Sequence, residues 1–321
     1  MAWRDVIEAR AVRAVESPLE SARFGCSVER LTVPVESGTP FSAVREALLG
    51  SVADVVVLRY PAEHVGWFAK LTAFGRTVLF ADSLVYWRLR AGEGRGPAPS
   101  PELRTSEPAG PAAVRALVSD IFGVYGNHYL ANPLFDAAEA LAGYQEWALR
   151  SSAEGECLTL EDRGAQVVGP RTLGLATLEQ DGPRTEILLA GVISGSQGRG
   201  LYAHLLRAVE DRALARGAAE VVISTQGHNT RVQRAWARYG FEPVQTFLTV
   251  HLVRSRLLRV RERQGRRAAG EDRRRTARRA RAPRTSGGPC RFRECGRCTH
   301  RGLRWTPAGR RRRARPSRRW W

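Results

Sequence analysis

The chain of 321 residues is long enough for two hydrophobic cores and carries a formal net charge of +19, but that charge is unevenly placed. From Arg256 onward 25 arginines face four acids, so residues 1–255 hold 26 basic and 28 acidic side chains and sit at −2. Nothing in a near-neutral body calls for a polyanionic partner, and with no run of 18 apolar residues no helical membrane span is expected. With no apolar leader after Arg4 and Asp5 and only five scattered cysteines, the expectation is a cytoplasmic protein whose Cys26 and Cys157 stay reduced.

The first 91 residues read as a small α/β unit. Val28 to Val35 alternates as a strand does, and Phe41 to Leu49 is spaced as a helix after the Thr39-Pro40 turn. Asp54 to Tyr60 is a buried strand, Ala62 to Phe74 a helix, and Arg76 to Arg90 a long strand. Residues 92–111, rich in glycine, proline and serine, read as a linker. The second unit, 112–255, opens with helices from Ala112 to Phe122 and from Asp136 to Leu149, the latter capped near Asp136. Between them Tyr125 to Phe135 is a loop dense in aromatic and polar side chains. Strands are expected near Glu156–Glu161, Leu173–Leu178, Thr185–Val192, Glu220–Thr225 and Thr246–Val253. The fold class is therefore α/β, a mixed sheet flanked by helices and preceded by a smaller α/β domain.

The most telling segment is Gln197-Gly198-Arg199-Gly200-Leu201, set between a buried strand and an amphipathic helix. A glycine turn leaving a strand and opening a helix aims free backbone N–H groups, at the positive end of the helix dipole, at an anion such as a pyrophosphate. Neither a P-loop nor a dinucleotide fingerprint fits: no Gly-Lys-Ser/Thr follows, and Ala203 stands where a third glycine is needed. A second cluster, His228-Asn229-Thr230-Arg231 through Gly240-Phe241, follows after one strand.

Together these two clusters resemble the GNAT superfamily of acyl-CoA N-acyltransferases. In that family a Gln/Arg-x-x-Gly-x-Gly/Ala loop cradles the coenzyme A pyrophosphate and a later Asn-x-x-Ala-x-x-Leu-Tyr-x-x-x-Gly-Phe helix flanks the thioester. Gln197, Gly198, Arg199, Gly200 and Leu201 fit the loop; Asn229, Gly240 and Phe241 fit the helix. Val232 and Ala235 replace the helix's Ala and Leu, and two departures bear on the chemistry: Tyr202 stands where a small residue is usual, and Trp236 where the family offers a tyrosine. Within the superfamily, Tyr125-Gly126-Asn127-His128-Tyr129, Gly143-Tyr144-Gln145-Glu146-Trp147 and Thr225-Gln226-Gly227-His228-Asn229 resemble the TDP-fucosamine acetyltransferases and related nucleotide-amino-sugar acyltransferases.

The resemblance implies a GNAT fold and transfer of an acetyl or short acyl group from acyl-CoA to an amine. The favoured acceptor is a nucleotide-linked amino sugar, with aminoglycoside, amino-acid or peptide amines as the alternative. It also implies cofactor contacts from Gly191, Val192, Gln197 to Tyr202, Asn229 and Trp236, including a bulge at Gly191 that frees N–H groups for the acyl carbonyl. Gly191 reads equally well as a close packing contact. For the base, the candidates are His128, His228 and, through water, Glu186. An indole N–H is far too weak an acid to protonate a thiolate, so Tyr239, Tyr202 or water would have to supply that proton. Tyr125, Tyr129 and Asn127 are candidate acceptor contacts, with core packing and turn formation as their structural alternatives.

The arginine-rich segment 256–321 reads as disordered, either a nucleic-acid arm or, as favoured, an extension without function. Read with a degenerate body, it would make the protein a nucleic-acid binder. Cys290-x4-Cys295-x2-Cys298-x-His300 has ligands enough for zinc but irregular spacing, and no metal is expected. The expected partner is the small acceptor, with a second copy of the chain left open, and neither membrane nor nucleic acid.

Overall fold

The computed structural model describes residues 3–35, 38–164 and 171–261; residues 255–261 are helical, where disorder was expected from 256, and the readings of residues 262–321 and of their cysteines lie outside the described residues. In chain order the N-terminal part holds α1 (Trp3–Val6), β1 (Arg13–Glu16), α2 (Pro18–Phe24), β2 (Val28–Thr32), α3 (Phe41–Gly50), β3 (Val55–Pro61), α4 (Trp67–Leu71) and β4 (Arg76–Arg90). There follow β5 (Leu103–Ser106), α5 (Pro111–Phe122), α6 (Ala137–Ala153), β6 (Cys157–Asp162), β7 (Arg171–Asp181), β8 (Arg184–Val192), α7 (Leu201–Ala215), β9 (Glu220–Gln226), α8 (Thr230–Tyr239) and β10 (Glu242–Arg254).

Local chemistry sets most of these boundaries. Asp136 accepts from the N–H groups of Ala138 and Glu139 and so starts α6. The helix expected from Ala62 to Phe74 is instead a short α4 between two 3-10 turns, Ala62–His64 and Thr72–Phe74, and ends at Gly75 with φ 67°. The segment read as a linker contains β5, which pairs with β6 from Leu103↔Asp162 to Ser106↔Thr159.

Among the described residues the strands form a single ten-stranded sheet in the order β1-β2-β3-β10-β4-β9-β8-β7-β6-β5. The two halves of the chain are interleaved in it. β4 lies between β9 and β10, and β10 lies between β3 and β4, so Phe247 faces Pro61 on one side and Leu84 on the other. Strand β3 is buried at every position, as a central strand covered on both faces must be. On one face Tyr60 and Leu58 pack with Val44, Leu48 and Leu71; farther along, Trp87, Leu89 and Ile223 pack with Leu205, Val209 and Trp236 of α7 and α8. On the other, Leu175 and Leu189 meet Val114, Val118 and Ala148 of α5 and α6. Helices thus cover both faces, as the α/β reading required. Among the described residues no helix is long and apolar enough to cross a membrane.

One irregularity positions the site. The parallel strands β8 and β9 pair only from Arg184↔Glu220 to Ile187↔Ile223, although β8 runs on to Val192 and β9 to Gln226. The register of β7 and β8 slips between Thr177↔Leu189 and Leu178↔Ile187, leaving Leu188 as the extra residue of a β-bulge. The bulge bends β8 away from β9, and the sheet opens into a V.

Candidate active site

A cavity of about 980 Å³ runs through this opening. At one end lies the glycine loop, where Gly198 (φ 82°) and Gly200 (φ 79°) adopt left-handed backbone that a side chain would strain. Gly200 precedes α7 and no side chain caps that helix, so its first N–H groups, at Leu201 and Tyr202, point out of the helix end. Gln197 braces the loop: its Nε2 donates to the Val192 carbonyl (3.2 Å) and its Oε1 accepts from Arg231 (3.0 Å). The Arg231 guanidinium thereby sits beside Gly198, close to where a Cβ on that glycine would point. Ser196 lines the same end, fully buried, and its Oγ has no hydrogen-bond partner among the described residues. Open glycines, an uncapped helix end, a cation and an orphaned hydroxyl fit the pyrophosphate end of coenzyme A. Arg199 is exposed in the loop. Arg231 and Ser196 carry no sequence motif of their own; only the position of Arg231 two residues past Asn229 hints at it.

In the V, Val192 and Gly191 line the cavity wall. The bulge falls at Leu188 rather than at the expected Gly191, whose lack of a side chain answers to packing: a Cβ there would lie 2.2 Å from Cγ2 of Ile121 on α5. On the opposite strand, Asn229 Nδ2 donates to Thr225 Oγ1 (3.0 Å), which also shares a hydrogen bond with the Tyr125 hydroxyl (3.0 Å). Tyr125 therefore lines the cavity with its oxygen held at the tip of β9.

The two departures from the expected motifs meet. Trp236 Nε1 donates to the Tyr202 hydroxyl oxygen at 3.0 Å, and both side chains line the cavity. Tyr239 is differently engaged: its hydroxyl donates to Glu210 Oε2 (2.7 Å), while Glu210 Oε1 accepts from the N–H groups of Gly92 and Gly94. Its proton is thereby committed to Glu210, and burial, reinforced by that hydrogen bond, pushes the Tyr239 hydroxyl well up.

The candidate bases part company. Glu186 is buried outside the cavity, its Oε2 taken by the Trp3 N–H (2.6 Å), and burial lifts its carboxyl to about 7. His128 lines the cavity, yet it is buried, with Nδ1 3.1 Å from His251 Nε2. Burial, with Arg59 and His251 adding to it, pushes His128 well below its ordinary value, and burial pushes His251 to about 3; the pair is neutral. His228 is exposed beside Tyr125, ring centroids 6.3 Å apart.

The far chamber of the cavity is built by the N-terminal half. Tyr129 donates to Glu20 Oε1 (2.5 Å), and Arg30 holds the same carboxylate through Nη2 to Oε1 (2.5 Å) and Nε to Oε2 (2.8 Å). The Tyr129 hydroxyl is thus committed within the protein, though the residue still lines the wall. Asn127 Oδ1 accepts from the Tyr129 N–H and forms the turn that starts the 3-10 segment His128–Ala131, the structural alternative for that residue. Arg59, Tyr144 and Trp147 complete the lining, with Arg23 and Arg150 nearby. Sequence reasoning missed Glu20, Arg30 and Arg59, which lie on strands or helices whose pairing places them under the second half of the chain. It also missed Asp82 on β4, buried with neither carboxylate oxygen hydrogen-bonded among the described residues. Among those residues no cluster of three or more His, Cys, Asp or Glu could hold a metal ion.

Residues 124–241 match the family model of the acetyltransferase (GNAT) family. No curated protein matches the chain. Among solved structures, a GCN5-related N-acetyltransferase from Sphaerobacter thermophilus is 14% identical, over 75% of this chain and 76% of that one, with a TM-score of 0.49. A GNAT-family acetyltransferase from Colwellia psychrerythraea is 11% identical, over 76% and 100%, at 0.46. A GCN5-related N-acetyltransferase from Kribbella flavida is 15% identical, over 76% and 90%, at 0.43. Within residues 124–241 the family match supports an acyl-CoA-dependent N-acyltransferase domain, and that family uses acetyl-CoA as co-substrate.

Proposed function

We propose that the protein moves an acetyl or short acyl group from acyl-CoA to the primary amine of a nucleotide-linked amino sugar in the cytoplasm, by direct attack in a ternary complex. The observation that carries this reading is the single cavity joining the uncapped end of α7 to the chamber under α2. The acyl-CoA supplies, when bound, an activated thioester. The N–H groups of Leu201 and Tyr202 and the Arg231 guanidinium hold its pyrophosphate, and Val192 and Gly191 line the V along the pantetheine arm. Backbone N–H groups of β8 freed by the Leu188 bulge polarise the acyl carbonyl. In the far chamber Tyr144 and Trp147 offer faces to a sugar or base, and Arg23, Arg59 and Arg150 offer charge to a diphosphate.

The two described cysteines support direct attack. Cys157 is buried among α5, α6 and β7 with its thiol pushed up to about 11 by burial, and burial also raises Cys26; neither lines the cavity. For deprotonation of the amine, His228 is the better placed of the two histidines, since it is exposed beside the cavity wall at Tyr125 while burial makes His128 a poor proton acceptor.

The test is thiol release from acetyl-CoA by the full chain across nucleotide-linked amino sugars, aminoglycosides and amino acids. The reading expects the nucleotide-linked sugars to give the highest kcat/KM, with one acetyl group added on nitrogen. Preference for an aminoglycoside or a free amino acid would overturn the acceptor class while leaving the acyltransferase reading intact.

A further inference from the structure

Breaking the thioester leaves a thiolate in the V, and the residue that the family pattern would assign to protonate it is absent, because Trp236 stands there. The structure fills that gap from another element. We propose that Tyr202, at the start of α7, is the catalytic proton donor to the departing thiolate, and that Trp236 is its positioning residue. The inference rests on the N-acyltransferase reading above.

Three observations carry it. First, the Trp236 indole N–H donates to the Tyr202 oxygen (3.0 Å), so the ring nitrogen fills one lone pair and fixes the hydroxyl in the cavity lining. An indole nitrogen accepts nothing, which leaves the Tyr202 proton to another acceptor. Second, the other tyrosines near this end are engaged: Tyr239 donates to the Glu210 carboxylate, and Tyr125 shares its hydroxyl with Thr225, which in turn takes the Asn229 amide. Third, Tyr202 belongs to the first turn of α7, the same turn whose N–H groups are left uncapped at the pyrophosphate end, so the donor is rigidly referenced to the bound arm. Burial pushes the Tyr202 hydroxyl up, with the Trp236 hydrogen bond opposing it, so the proton is in place at any physiological pH.

In the step itself the amine nitrogen bonds to the acyl carbon, the carbon–sulfur bond breaks with its electron pair going to sulfur, and the Tyr202 hydroxyl proton passes to that sulfur. The Trp236 N–H steadies the resulting phenolate. The proton lost by the amine, carried out through solvent at the cavity mouth, balances the one that Tyr202 regains.

The test uses the full chain and two readouts. Tyr202→Phe should lower kcat on the order of a hundredfold while leaving KM for acetyl-CoA within about threefold. Ultraviolet titration of the thiolate of bound coenzyme A needs no acceptor. Loss of the Tyr202 donor should raise the pKa of the bound thiol by about one pH unit. Trp236→Phe, which keeps the phenol but frees it to rotate, should move both quantities in the same direction by less. Tyr202→Phe combined with Trp236→Tyr should recover part of the lost kcat, because the phenol returns from the other helix. Unchanged kcat in Tyr202→Phe, or a bound thiol that titrates identically in wild type and both single variants, overturns the proposal. If the wild type releases thiol with no amine, the acyltransferase reading falls instead, while the thiol titration still decides whether Tyr202 addresses the sulfur. Should Tyr202→Phe fail to fold, an unmoved thiol in Trp236→Phe overturns the proposal by itself.

Discussion

Two buried carboxylates show how the same residue type is tuned in opposite directions by what it touches. Burial raises Glu20, but the charge and hydrogen bonds of Arg30 and the Tyr129 hydroxyl outweigh it and hold the carboxyl at about 2. Its folded pKa lies below the unfolded value of 4.5, so the stability it contributes, about 3 kcal/mol, is present above pH 4.5 and lost as pH falls toward 2. Glu20→Gln should therefore lower the melting temperature at pH 7 and flatten the acid limb of the stability curve, as thermal scans from pH 2 to 7 would show. Glu186 has the reverse sign. Its folded value of about 7 lies above the unfolded one, so its favourable contribution is complete below pH 4.5 and disappears as pH rises through 7. Glu186→Gln should raise the melting temperature at pH 8 and keep acyl transfer near wild type; a large loss of kcat would restore that residue as a base.

At the scale of elements, packing around Gly191 explains a residue that the motif alone leaves ambiguous. A methyl group there would drive into Cγ2 of Ile121, a β-branched side chain with little rotamer freedom on α5. Gly191→Ala should cost about 1–3 kcal/mol in urea unfolding, and Ile121→Ala should relieve part of that in the double variant. Apart from Ala62 to Phe74, where 3-10 turns replace most of the expected helix, the strands and helices from Phe41 to Arg90 and from Pro111 to Arg254 were legible because period-2 and period-3.6 patterns are local. The opening elements α1, β1 and α2 were not, since β1 is an edge strand of four residues with little apolar signal. The turn from Gln197 to Tyr202 was legible as a glycine loop opening a helix, because its two glycines stand directly before an amphipathic run, and Asn229 as the residue before the next helix. Ser196, Arg231, Glu20 and Arg30 were hidden, because their roles arise from contacts between segments 34 to 109 residues apart. The pairing of Tyr202 with Trp236 was hidden too; each departure was visible alone, and only the fold brings them into one hydrogen bond.

At the scale of the whole molecule, the interleaving of β4 and β10 makes the halves interdependent. Strand β4 supplies the neighbour of both β9 and β10, and α2 supplies Glu20 to the acceptor chamber. Residues 112–255 expressed alone should fail to give a cooperative unfolding transition, because β9 and β10 would expose unpaired edges and β6 would lose β5. Residues 1–261 should unfold cooperatively. The central claim is that the α7 end and the V hold acyl-CoA. Titration calorimetry of acetyl-CoA into the full chain, with Gly200→Glu as the control, tests it most directly. A side chain at φ 79° and a negative charge at the helix end should weaken binding at least tenfold, while the wild type binds one molecule per chain. No binding by the wild type, or equal binding by the variant, would contradict the account.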